Sequence, residues 1–179
     1  MKIENKKTWM GVLLLVSIEQ IIKIIINNNF LDKSFTLYPS FLYFDPIFNR
    51  DYSWINSMLQ LGISKWLHII MVAIIILFVF LFYRYLNTRF GSNKIVNTMF
   101  AFLFAGAISS LIDKVFWDGS LDYIYVKGFF TFDLKDVYIN VFIGLMILFS
   151  ILKNKVLREI DEVELIRGFG KFLKNKKCD

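Results

Sequence analysis

The 179-residue chain has one cysteine, one histidine and two prolines. A lone Cys178 closes no disulfide within the chain and builds no metal site by itself. His68, without a cysteine pair, supplies too few ligands for a zinc hydrolase. It also opens an apolar segment with no recognisable serine motif, which argues against a Ser-His-Asp arrangement. Charge is missing from two long stretches, residues 66–83 and 95–112. Alternating strands are missing too, and that excludes a closed transmembrane barrel.

What is present is apolar. Hydrophobic residues make up 56% of the chain, twenty residues are Phe, and the mean hydropathy is +0.54. Soluble domains usually sit lower in apolar content. Four segments, 9–26, 66–83, 95–112 and 137–152, are long enough to cross ~30 Å of hydrocarbon as helices. The last is short, but Asp136 and a snorkelling Lys153 can lengthen it. The first follows Lys2, Lys6 and Lys7 in the manner of a signal peptide. Its central Glu19, Gln20 and Lys23, and the lack of a small-residue cleavage site, make it a retained helix instead.

Lys and Arg set the orientation. With a cytoplasmic N-terminus, inside segments carry 14 of them and outside segments 5. The positive-inside rule then places both termini in the cytoplasm. Topology and anionic headgroups account for the net charge of +6, and nucleic acid is not needed.

The outer segment 27–65 is long for a connector. Phe35, Leu37, Tyr38, Phe41, Tyr43 and Phe44 look strand-like, with Pro39 and Pro46 as punctuation. Residues 53–64 place Trp54, Ile55, Met58, Leu59 and Gly62 on one face, the pattern of an interfacial helix. This segment reads equally well as an ordered connector or as a lid. After residue 152, Val156, Ile160, Val163, Ile166, Phe169 and Leu173 predict an amphipathic tail helix on the inner surface. The expected fold is an all-α membrane protein with four transmembrane helices and a small extracytoplasmic subdomain, part β-like and part amphipathic helix. Residues 1–152 form the membrane domain, with 27–65 as its outer lid and 153–179 as a cytoplasmic tail.

Ionisable groups at membrane depth are functional candidates. Glu19 and Lys23 stand in the favourable i, i+4 order for an ion pair, with Gln20 beside them. That cluster either locks the first helix or orients active groups. Gly106, Ser109, Ser110 and Asp113 share a small, polar helix face that permits close packing. Asp136 at a helix start suits a cap. Yet Asp113 and Asp136 sit at the same outer boundary, and facing carboxylates can share one proton and act as acid and base. The pair therefore predicts an aspartyl hydrolase that needs no metal.

These residues resemble the lipoprotein signal peptidase (signal peptidase II) family. Its Asp-Gln-x-x-Lys element is similar to Glu19-Gln20-Ile21-Ile22-Lys23, and its outer-loop Asn corresponds to Asn49 behind Phe41-Leu42-Tyr43-Phe44. Its Gly-Ala-x-x-Asn-x-x-Asp-Arg motif resembles the stretch from Gly106-Ala107 through Ser110 to Asp113-Lys114. An Asp-aromatic element resembles Asp122-Tyr123, and Phe-Asn-x-Ala-Asp resembles Phe132-Asp133-Leu134-Lys135-Asp136. The departures are Glu19 for Asp, Ser110 for Asn, Lys114 for Arg, Asp133 for Asn, Lys135 for Ala, and Arg50-Asp51-Tyr52-Ser53-Trp54 for the Gly-x-Ala-Phe run after Asn49. They mark a divergent member.

The resemblance implies an aspartyl endopeptidase without a cofactor, in the bacterial cytoplasmic membrane with its active site near the outer face; a monomer is expected. Its substrates would be prolipoproteins, cleaved before the lipid-modified Cys. Asp113 and Asp136 would be catalytic. Asn49, Glu19, Gln20, Lys23, Ser110, Lys114, Asp122 and Asp133 would support them or hold substrate. The same residues leave two other readings open: a dyad acting on another membrane substrate, or a non-enzymatic protein that binds lipidated peptides.

Overall fold

The computed structural model describes residues 3–117, 119–151 and 162–174. Four long helices carry the candidate spans: α1 (Ile3–Asn29), α3 (Lys65–Phe90), α4 (Lys94–Phe116) and α5 (Leu134–Ile151). A short α2 (Trp54–Leu59) precedes α3. Each span holds 18 or more residues at a mean hydropathy of 1.8 to 2.7, so all four are long and apolar enough to cross a bilayer. They match the four segments expected from hydropathy, and most reach further at their ends. Ser64 caps α3, Asn93 caps α4, and Gly91 at φ +75° lets the chain reverse between them.

Helix α4 is the axis of the bundle, packing against α1, α3 and α5. Its small residues explain this position. A Cβ added at Gly106 would lie 2.6 Å from Ile139 Cγ1 and 3.0 Å from the Lys135 carbonyl oxygen, so α5 rests directly on α4. Val12, Tyr83, Phe100 and Phe104 fill the core between α1, α3 and α4.

At one end the helices meet a small open sheet. Strands β1 (Phe35–Tyr38), β2 (Leu42–Asn49), β3 (Ser120–Val126) and β4 (Thr131–Phe132) pair antiparallel in that order. Hydropathy anticipated strands in the first connector. It did not anticipate that the second connector supplies β3 and β4. In the β2–β3 ladder Asn49 stands opposite Ser120, and Ile47 opposite Asp122. The ladder shifts between Phe44 and Ile47, where Pro46 has no N–H to donate. Ile26, Leu121 and Tyr123 form a second core beneath the sheet.

Helix α2 is shorter than the 53–64 pattern suggested. Left-handed backbone at Gln60 and Gly62 ends it. Asn56 folds the following loop back, donating to the Asp51 carbonyl at 2.8 Å and accepting from Ile63 N at 3.0 Å. Beyond the spans, α6 (Glu162–Leu173) bears out part of the expected tail helix. Its Phe169 packs on Phe78, Phe82 and Tyr85 of α3, and Glu164 pairs with Arg89 at 2.5 Å. Lys153, Val156, Ile160 and Cys178 lie outside the described residues.

Candidate active site

The polar groups of four elements converge where the helix ends meet the sheet. The helical spacing of Glu19 and Lys23 closes an ion pair of 2.7 Å. Lys23 also reaches Asp113 of α4 at 2.5 Å and Asp133 at 2.7 Å. Gln20 donates to Glu19 and accepts from the Trp117 indole at 3.1 Å, tying α1 to the end of α4. Glu19, Lys23, Asp113 and Asp133 are essentially inaccessible to solvent.

A second ammonium lies in the same cluster. Lys135, a departure from the family motif in the sequence, turns inward. Its Nζ contacts Asp133, donates to Ser120 Oγ at 2.5 Å, and lies 3.3 Å from Asp113 Oδ2 and 3.4 Å from Asp122 Oδ1. Asp113 and Asp133 thus each touch both Lys23 and Lys135. Two buried anions and two buried cations alternate around one ring, so each charge has partners to offset its desolvation.

Asp133 and Asp136 also cap α5 reciprocally. Asp136 N donates to Asp133 Oδ1 at 3.3 Å, and Asp133 N donates to Asp136 Oδ2 at 3.2 Å. This capping box fixes where the Asp136 carboxylate points. Asp122 approaches from β3, and its Oδ1 accepts from Ser120 at 2.9 Å. Asn49, across the ladder on β2, reaches Asp122 Oδ2 at 3.5 Å. One carboxylate oxygen from each of Asp122, Asp133 and Asp136 lies within 4.8 Å of the other two. Burial pushes the Asp122 carboxyl above the usual range, against the pull of the Lys135 ammonium. Burial acts the same way on Asp133, but Lys135 and Lys23 outweigh it and hold that carboxyl low.

A cavity of about 970 Å³ opens onto part of this cluster. Asp122, Asp136, Lys135, Asn49, Ser110, Lys114 and Ser120 line its polar end. Met71, Val72 and Ile75 of α3 and Val137 and Val141 of α5 make its apolar walls. Ile55, Asn56 and Ile63 border it from the α2 segment. That segment is held to α3 by a bond of 3.2 Å between Ser53 Oγ and His68 Nε2. Lys114 donates to Ser110 Oγ at 2.8 Å on the cavity wall.

The sequence pairing of Asp113 with Asp136 is not the arrangement at the cavity. Asp113 lies with Glu19 and Asp133, its Oδ2 bound by Lys23, Ser120 and Lys135. The carboxylate that shares the cavity with Asp136 is Asp122. Ser120 is a site residue that sequence reading missed, and Lys135 was noted there only as a departure from the family motif, with its role open.

The family model described as Signal peptidase (SPase) II matches residues 11–152. The chain belongs to the signal peptidase II family. Two solved structures described as bacterial membrane enzymes, determined by the in meso method at 2.3 and 1.9 Å, share its fold. Each is 22% identical with a TM-score of 0.63, covering 88% and 83% of this chain and 94% of its own. Membership makes this chain a multi-pass membrane protein of a peptidase family whose substrates are lipoproteins. The Lys135–Asp133 pair stands at two of the positions where the sequence departs from the motifs it resembles.

Proposed function

We propose that the chain is an aspartyl endopeptidase that removes signal peptides from diacylglyceryl-modified prolipoproteins, cleaving before the lipidated Cys. Asp122 and Asp136 are the reacting pair. The observation that carries this reading is their convergence, from β3 and α5, on the polar end of an apolar-walled cavity. Two carboxyl groups so placed can hold one proton between them. Asp113 becomes a positioning residue, holding Lys23 and Lys135 in place.

The ionised carboxylate takes a proton from water as the water oxygen bonds to the scissile carbonyl carbon. The protonated one gives its proton to the carbonyl oxygen. On collapse the C–N bond breaks, the first carboxyl protonates the leaving amine, and the second recovers its proton. The dyad returns to its starting state, and the reaction draws on no cofactor. Asn49 and Lys114 hold the substrate backbone. The walls from α3 and α5 take the acyl chains, which come laterally from the bilayer, and the α2 segment covers the site. The sheet faces the outside and both termini face the cytoplasm, as the Lys and Arg distribution requires. The protein works as a monomer, with 1–152 as its peptidase domain and 27–65 as its outer lid.

The Lys135–Asp133 pair inside the site favours a second reading, the same dyad acting on a different lipidated membrane substrate. The test is cleavage of a diacylated lipobox peptide by the purified protein, with the product mass read by spectrometry. Cleavage before the lipidated Cys, lost in Asp122→Asn and Asp136→Asn, supports the first reading. Dyad-dependent cleavage of another membrane peptide alone supports the second. Absence of any dyad-dependent hydrolysis leaves a lipidated-peptide-binding protein.

A further inference from the structure

Lys135 immediately precedes Asp136 on α5, and its ammonium is buried against four groups: Asp133, Ser120, Asp113 and Asp122. A buried cation without an anion is strongly destabilising. Asp133 supplies that anion. The two departures from the Phe-Asn-x-Ala-Asp motif are thus one charge-neutral exchange, a cation at 135 balanced by an anion at 133. Structural neutrality alone is equally met by the uncharged Asn and Ala of the motif, so it does not explain why the pair faces the cavity.

We propose that Lys135 is a positioning residue that holds Asp122 in its ionised form, so that Asp122 is the base of the dyad and Asp136 the acid. The inference rests on the Asp122–Asp136 reading above. Lys135 Nζ lies 3.4 Å from Asp122 Oδ1, where an ammonium stabilises the anion directly. It also acts through Ser120. That hydroxyl has one hydrogen and two carboxylate acceptors, Asp113 at 3.0 Å and Asp122 at 2.9 Å. By donating to Ser120 Oγ, Lys135 takes up a lone pair and commits the single hydrogen to a carboxylate. Other charges also face Asp122: Lys23 from α1, Asp113 and Lys114 from α4, and Asp133 and Asp136 at the start of α5. The anions among them oppose ionisation of Asp122, and Lys135 is the cation placed against its oxygen. Lys135 also acts on Asp136, which accepts a backbone N–H from Asp133, but among the described residues no ammonium lies within 4.0 Å of the Asp136 carboxylate as it does for Asp122.

The experiment is the pH profile of kcat/KM for the diacylated lipobox peptide in micelles, with the full chain. Three proteins are compared: the parent, K135R, and the double variant D133N/K135A, which keeps the local charge balance and therefore the fold. The base must be ionised, so activity rises as pH rises through its pKa. The double variant loses the pull of Lys135 and the smaller opposing push of Asp133, so its limb moves to higher pH. K135R keeps the parent limb. Infrared difference spectra against D122N follow the protonated Asp122 carboxyl directly, with or without turnover, and show the same displacement. A double variant whose limb and infrared titration superimpose on the parent's overturns the proposal, whatever its thermal stability. Full activity in D122N instead overturns the underlying dyad reading, so the two failures are distinct.

Discussion

Asp113 and Asp122 are both buried carboxyls, and their surroundings give them opposite sensitivities. Asp113 binds two ammonium groups, so Asp113→Asn or Lys23→Met leaves buried charge uncompensated. Each is expected to destabilise the protein by about 3–5 kcal/mol, read as a lower Tm in micelles. A Tm equal to the parent's would mean that the ring of charges is not formed. Asp133 adds a pH signature. Its carboxyl is held low, so its pairing stabilises the fold above the ordinary Asp value of about 3.9 and is lost as pH falls through its folded-state pKa. The parent therefore loses Tm steeply on acidification below about pH 4, and D133N/K135A does so less steeply. Lys135 itself was not legible in the chain. The partners of a lysine at a helix start stay hidden until Asp113 of α4 and Ser120 and Asp122 of β3, from two other places in the sequence, are brought around it.

At the scale of elements, the close approach of α4 and α5 places Asp136 at the cavity. Gly106→Leu puts a side chain where Ile139 and the Lys135 carbonyl already sit, and overpacking of this kind costs about 1–3 kcal/mol. A lowered Tm together with reduced turnover is expected, and an unchanged pair of values would show that the helices are further apart than described. The α2 segment behaves differently. Ser53 both caps α2 and bonds to His68, so Ser53→Ala loosens the cover of the cavity at a cost of about 1 kcal/mol to the helix. Its effect belongs in KM and turnover far more than in Tm. The four spans, the Glu19–Lys23 pair and the strand character around Phe35 to Phe44 were all legible, because each depends on residues close in sequence. Strand β3 was not, since Ser120–Val126 becomes a strand only by pairing with β2, some seventy residues earlier. That pairing is also what carries Asp122 to the cavity, so the same non-local contact hid both β3 and the place of Asp122 beside Asp136.

At the scale of the whole molecule, the sheet, the α2 cover and the carboxylate cluster occupy one end of the bundle, and the α3–α4 turn occupies the other. Single cysteines introduced at Lys127 and at Ser92, in a Cys178→Ser background, separate the two faces. An impermeant maleimide added to intact cells is expected to label the first and not the second, and the reverse pattern would invert the proposed orientation. The central claim is that Asp122, and not Asp113, reacts with Asp136. The most direct measurement is the single-turnover cleavage rate of D122N and D113N on a diacylated lipobox peptide, each normalised to folded protein. Lys135 keeps Asp133 and Asp113 as partners when Asp122 is replaced, so an isosteric amide there should leave Tm near the parent's while the rate falls by about 10²–10⁴-fold. D113N should lose Tm but retain cleavage in its folded fraction. A D122N protein that cleaves at the parent rate, beside a fully folded D113N that does not cleave, would contradict the account.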